Sequence, residues 1–154
     1  MRYSFSVSKI PEGRSTLSWP LDEKLFEAIG ANYEIEALKG QLLAHFQRDS
    51  YFLRIEMILT GEATVACDLC LRSIQLPFSA RHQQVYALTS RYAHPEGAEE
   101  FYVLGSREDR IDLTQAVYDY VCLALPVKRI RPTCPDESCP PYIKSLIRRE
   151  APNT

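Results

Sequence analysis

The chain predicts an α+β fold: an antiparallel β meander, forming a partly closed, barrel-like sheet, packed with one main C-terminal helix and a short N-terminal helix. Three observations carry that prediction. Residues 33–88 keep a period of two, apolar on one side and polar on the other. The runs within that stretch are joined by short turns, which suits antiparallel neighbours with one buried face. Residues 112–125 then change to a helical period. With 154 residues, the chain is one domain's worth and long enough to bury a core without help from a metal.

Taken in order, residues 3–9 predict a first strand, with Tyr3, Phe5 and Val7 on one side and serines on the other. The turn Ile10-Pro11-Glu12-Gly13 ends it. Leu21, Leu25, Phe26 and Ile29 recur at i, i+4, i+5 and i+8, a short helix that Gly30 stops. These elements make up an N-terminal region, 1–30.

The meander, 33–88, follows. Ile35 and Ala37 alternate with Glu34 and Glu36, and Gly40 interrupts as a bulge. Leu42, Ala44 and Phe46 continue the apolar face up to a charged turn at Arg48, Asp49 and Ser50. Tyr51, Leu53, Ile55, Met57 and Leu59 are then expected to point inward, opposite Arg54, Glu56, Thr60 and Glu62. In the third run Ile74, Leu76, Phe78, Ala80, His82, Gln84, Tyr86 and Leu88 face inward.

Residues 89–110 break the pattern, with a short strand expected at 101–104 inside an acidic loop. Asp112 with Gln115 three residues on reads as a capping-box start. Leu113, Ala116, Val117, Tyr120, Val121 and Ala124 form one apolar stripe, Tyr118, Cys122 and Leu125 a second, and Pro126 ends the helix. The remaining residues, 126–154, are a basic tail rich in cysteine and proline.

Composition narrows the function classes. Hydrophobic and charged residues make up 45% and 25% of the chain, ordinary values for a soluble globular protein. No apolar run is long enough for a membrane span. The opening residues lack the apolar region of a signal peptide, so a cytoplasmic location is expected. The net charge of −2 divides unevenly: residues 1–125 carry 12 Lys and Arg against 17 Asp and Glu, whereas residues 126–154 carry 6 against 3. The tail is therefore the cationic part, and cationic clusters attract phosphate backbones.

Chemistry concentrates in the cysteines. Cys67 and Cys70 stand at C-x2-C spacing between two strand-like runs, and Cys134 and Cys139 stand in the tail. Four thiolates from two hooks suit a closed tetrahedral structural zinc site, with no open position for a substrate or a catalytic water. The alternative is that these thiols are unligated or joined as disulfides; five cysteines in a reducing compartment speak against a disulfide framework. A redox role for Cys67 and Cys70 would need a helix N-terminus to acidify the thiol, and strand-like segments flank the pair instead. Cys122 reads as a small apolar residue on a covered helix face.

Lys128, Arg129 and Arg131 beside the proposed clasp, with Lys144, Arg148 and Arg149 beyond it, are the candidate RNA contacts. Arg72 would lie near them if the clasp closes. The bland reading of the same residues is a solvated charged tail. His82 falls on the inward alternation and reads as a core residue; His45 lies on the opposite face and His94 in the acidic loop. The six glycines are scattered singly, so no phosphate-cradling loop is present, and no local arrangement suggests nucleophilic catalysis.

Several of these residues together resemble one family. A strand with Gly40 and Leu42, a hairpin ending in Cys67, Cys70 and Leu71, a helix from Asp112 and Leu113 to Ala124-Leu125-Pro126, and a cysteine-bearing tail are similar to the YceD-like family. These are the large ribosomal RNA subunit accumulation proteins. The resemblance spans roughly residues 33–140 and implies a single domain over 1–154. It implies a non-enzymatic cytoplasmic factor, bacterial in type, that supports 23S ribosomal RNA accumulation and large-subunit assembly. Two partners follow as expectations. One is ribosomal RNA, contacted by the tail; the alternative is a large-subunit ribosomal protein, bound by the acidic loop around 94–112 without direct RNA contact.

Overall fold

Alternating side chains from residue 35 onward produce three long strands, because only an extended chain puts every second residue on one face. The computed structural model describes residues 3–30, 35–68, 71–88, 100–105 and 108–126. Its elements run β1 (Ser4–Ser6), a 3-10 turn (Val7–Lys9), β2 (Gly13–Leu21), α1 (Lys24–Ile29), β3 (Ile35–Arg48), β4 (Phe52–Ala66), β5 (Ser73–Ala87), β6 (Glu100–Val103), β7 (Arg110–Asp112) and α2 (Thr114–Ala124). The α+β class and the antiparallel meander are both present. β2, β3, β4 and β5 pair antiparallel in that order, and β6 adds to β5 in parallel. β1 and β7 form a separate antiparallel pair. Among the described residues the main sheet is open, with β2 and β6 as its edges, so the expected barrel-like closure is not seen.

One face of the sheet is apolar and covered. Leu42, Leu53, Ile55, Met57, Leu59 and Val65 are fully buried, and burying each such side chain contributes on the order of 2 kcal/mol. Helix α2 and its N-cap lay Val117, Val121 and Leu113 into this core, α1 adds Leu25, and β1 with the residue before it adds Phe5 and Tyr3. The Phe5 ring meets Phe46 edge-on at 4.9 Å, and Phe26 of α1 meets Tyr118 of α2 at 6.2 Å. Gly30 ends α1 with φ 80, its N–H returning to the Phe26 carbonyl.

The structure departs from the sequence expectations at identifiable places. The irregularity in β3 lies between Ile35 and Ala37, not at Gly40. That extra residue moves the inward position from Ala37 to Leu38, which is 2% exposed. Gly40 instead pairs directly with Gly61 of β4. A Cβ on Gly40 would sit 2.3 Å from the Thr60 carbonyl oxygen, and one on Gly61 would sit 2.3 Å from that of Lys39. Both positions therefore exclude any side chain, and the backbones approach closely there.

Tyr51, expected inward, is exposed. The Asp49 carboxylate accepts the N–H groups of Tyr51 at 2.7 Å and Phe52 at 2.8 Å, so the turn extends through Tyr51. Arg48, read as part of that turn, bends into the fold and donates to the carbonyls of Val7 (2.5 Å) and Ile10 (2.7 Å). Asp109 secures the same turn from the other side, accepting the Ser8 N–H at 2.8 Å and hydroxyl at 2.9 Å. Those Ser8 bonds hold the Asp109 carboxyl below its usual range. At the start of α2, Asp112 accepts the Thr114 N–H and hydroxyl, while Gln115 donates to Asp119 rather than closing a capping box.

Replacing Gly40 or Gly61 by alanine is expected to destabilise the fold by about 3 kcal/mol or more, since the new methyl meets backbone that cannot rotate away. Urea denaturation of the two single variants measures this. Wild-type midpoints would show that the strands can separate there freely.

Candidate functional site

The β4–β5 hairpin carries Cys67 and Arg72, two of the sequence-predicted site residues, at one end of the sheet. The last ladder pair is Ala66 with Ser73. Beyond it the Cys67 N–H donates to the Arg72 carbonyl at 2.7 Å, and the Leu71 N–H donates to the Cys67 carbonyl at 2.9 Å. Two backbone bonds thus fix the residue that carries the first thiol. Leu71 pays for the tight turn with φ 61, a left-handed conformation unusual for leucine, and is 77% exposed. Cys67 is 2% exposed and packs with the apolar core, whereas Arg72 is exposed.

Among the described residues the element after Cys67 is β5, not a helix. A buried thiol without a helix dipole lacks both features that make a cysteine reactive. The remaining predicted site residues, Cys70, Cys134, Cys139, Lys128, Arg129 and Arg131, lie outside the described residues. Lys144, Arg148, Arg149 and His94 do so too. Among the described residues no group of three or more His, Cys, Asp or Glu could hold a metal ion. Cys122 is half-buried against the core, in keeping with an apolar role.

A polar cluster that sequence reasoning did not assemble joins β5, β6 and α2. Buried Gln84 donates to Glu100 and to the Tyr120 hydroxyl, both at 3.0 Å, and accepts from Tyr86 at 2.8 Å. Glu100 accepts from Tyr120 at 2.7 Å and from Tyr102 at 2.9 Å. The His82 ring stacks on Tyr120 with centroids 3.8 Å apart, so the inward histidine is a packed residue, as expected. Burial, aided by the charges of Tyr102 and Glu100, pushes the Tyr86 hydroxyl well above its ordinary range. Burial and the Glu100 hydrogen bond do the same for Tyr120. Three tyrosines kept neutral therefore donate to one amide and one carboxylate, which is a strut and not an acid–base centre. Its signal in the sequence was the polar pair His82 and Gln84 on an otherwise apolar face.

The family model for the large ribosomal RNA subunit accumulation protein YceD matches residues 55–152. The chain belongs to that family. The match covers well over half of the chain: most of β4, the Cys67 hairpin, β5, the Glu100 cluster, α2 and almost all of the basic tail. It starts later and ends later than the span of the motif resemblance. β1, β2, α1 and β3 precede it. No curated protein and no solved structure matches the chain. The YceD family is named for ribosomal RNA accumulation and not for a catalysed reaction. No described helix is long and apolar enough to cross a membrane.

Within the YceD-matched span, Tyr120→Phe removes bonds to both Glu100 and Gln84 and is expected to cost about 1–3 kcal/mol. The raised tyrosines also set a pH dependence. The unfolded chain loses these protons near the ordinary value of 10.0 while the folded chain keeps them, so stability holds up to that pH and declines above it. Thermal melts from pH 8 to 11, expected to show a shallower alkaline decline in Tyr120→Phe, check both statements. An alkaline decline unchanged by the substitution would remove Tyr120 from the account.

Proposed function

We propose that this YceD-family chain supports 23S ribosomal RNA accumulation and large-subunit assembly as a non-enzymatic cytoplasmic factor. It binds ribosomal RNA through the tail cations Lys128, Arg129 and Arg131. The observation that carries this reading is the single family match running from β4 to residue 152, which takes in both the cysteine hairpin and the cationic tail. The charge division supports it: a tail with 6 Lys and Arg against 3 Asp and Glu follows a body with an acidic excess.

In this reading a structural zinc ion bound by Cys67, Cys70, Cys134 and Cys139 ties the tail to the hairpin. When bound, zinc supplies a closed four-thiolate link and no Lewis-acid site. Cys67 is suited to the role because the backbone bonds to Arg72 and Leu71 orient it at a strand end. Arg72, exposed at the same tip, adds a further cation beside the clasp. The fit of the other three cysteines to one ion is part of the proposal.

Protein purified without chelator is expected to hold one zinc per chain by metal analysis, and Cys134→Ser to lose most of it. Zinc far below one equivalent, with every thiol titratable, would remove the clasp. For the RNA contact, affinity for a large-subunit RNA fragment is expected to fall steeply with salt. Replacing Lys128, Arg129 and Arg131 with Gln should lower the log–log slope by about 3. An unchanged slope would shift the contact away from the tail. A pull-down that keeps its ribosomal protein after RNase treatment would favour the adaptor role of the acidic loop.

A further inference from the structure

The sheet has a second face, opposite the core, and its polar side chains are grouped by register. Across β2, β3 and β4 one row is Arg14, Gln47, Arg54. The adjacent row across β2 to β5 is Thr16, His45, Glu56, Gln83. Together these rows line a groove of about 390 Å³ on the sheet surface.

The groove is unusual for what its arginines leave undone. Arg48 holds two backbone carbonyls, Arg110 donates to Ser4, and Arg81 stands 3.8 Å from Glu56. The guanidiniums of Arg14 and Arg54 make no hydrogen bond or ion pair with any described residue, and neither do the side-chain amides of Gln47 and Gln83. His45 meets the Thr16 hydroxyl through Nδ1 at 3.0 Å. The tautomer in which that hydroxyl donates carries its ring proton on Nε2. The single carboxylate, Glu56, has Arg81 beside it.

We propose that this groove binds the sugar–phosphate backbone of RNA, with Arg14 and Arg54 engaging neighbouring phosphates; the inference rests on the RNA-binding reading above and adds a second contact surface to the tail. Residues 1–125 hold 17 Asp and Glu against 12 Lys and Arg, so carboxylates are plentiful. Two unpaired guanidiniums beside a groove in such a body match an external anion by charge complementarity. Arg14 and Arg54 stand two strands apart, about 10 Å at the backbone, so their guanidiniums can engage two neighbouring phosphates of one strand. The aromatic ring nearest the groove, Phe46, is 2% exposed and turned into the core. The groove offers guanidiniums, amides and one imidazole and no exposed Phe, Tyr or Trp ring, a lining suited to the backbone more than to the bases.

The test compares the full chain with R14Q/R54Q, both positions being on the face opposite the core, Arg14 exposed and Arg54 half-buried. Anisotropy titrations with a large-subunit RNA fragment at several salt concentrations give the slope. The double variant is expected to melt with the parent, bind RNA more weakly, and show a slope reduced by about 2 on top of any tail effect. Parental binding with an unchanged slope overturns the groove and leaves the tail reading intact. A parent that binds no RNA overturns both. In a second arm, His45 ring resonances are followed with inorganic phosphate and with RNA. RNA-induced shifts lost in R14Q/R54Q support the proposal, whereas saturation by phosphate that RNA does not displace identifies a small-anion site and overturns it.

Discussion

Burial of one apolar face of the β3–β4–β5 ladder is the constraint on which the rest of the structure depends. Fourteen- and fifteen-residue strands put more apolar surface on one side than a single short helix can cover. The cover is therefore assembled from both ends of the described chain. Tyr3, Phe5, Leu21 and Leu25 come from before the ladder, and Leu113, Val117 and Val121 from after it. The other face carries the polar rows of Arg14, Gln47 and Arg54 and of Thr16, His45, Glu56 and Gln83. The proposed groove lies on that second face.

The ladder was legible in the sequence because period-two burial is a property of single strands. Leu53, Ile55, Met57 and Leu59 are all inward as expected, and so are Phe78, Gln84 and Tyr86. What depended on neighbours was harder to read. β2 escaped notice because its Leu17 and Trp19 alternate but sit at an edge where only Leu21 becomes fully buried. Pro20 within it also reads as a strand breaker, though an edge tolerates proline. The β3 register shift depends on how Ile35 meets Val65, a pairing that no local pattern encodes. β7 is three residues long, and its strand character comes from β1 more than a hundred positions away.

The candidate sites divide along the same line. Cysteine spacing is visible in one dimension, and the hairpin did place Cys67 at a strand end. The Glu100 cluster joins residues from three separate elements, so only its inward polar positions gave warning. The groove was less legible still. Arg14 and Arg54 look like ordinary surface charges until the strand register sets them on either side of Gln47 and shows neither to be paired. In the sequence Arg48 has the same appearance, yet it anchors the turn at Val7 and Ile10.

The β1–β7 pairing has a bearing on how the molecule is made. Ser4 waits for Asp112, and Ser6 for Arg110. During vectorial synthesis the first strand emerges about a hundred residues ahead of its partner. The central hairpins can form in the meantime, with their greasy side still partly bare at the spot where Phe5 and Phe46 meet. Closure of that corner is thus a late event, reached only when the segment leading into the final helix has left the ribosome.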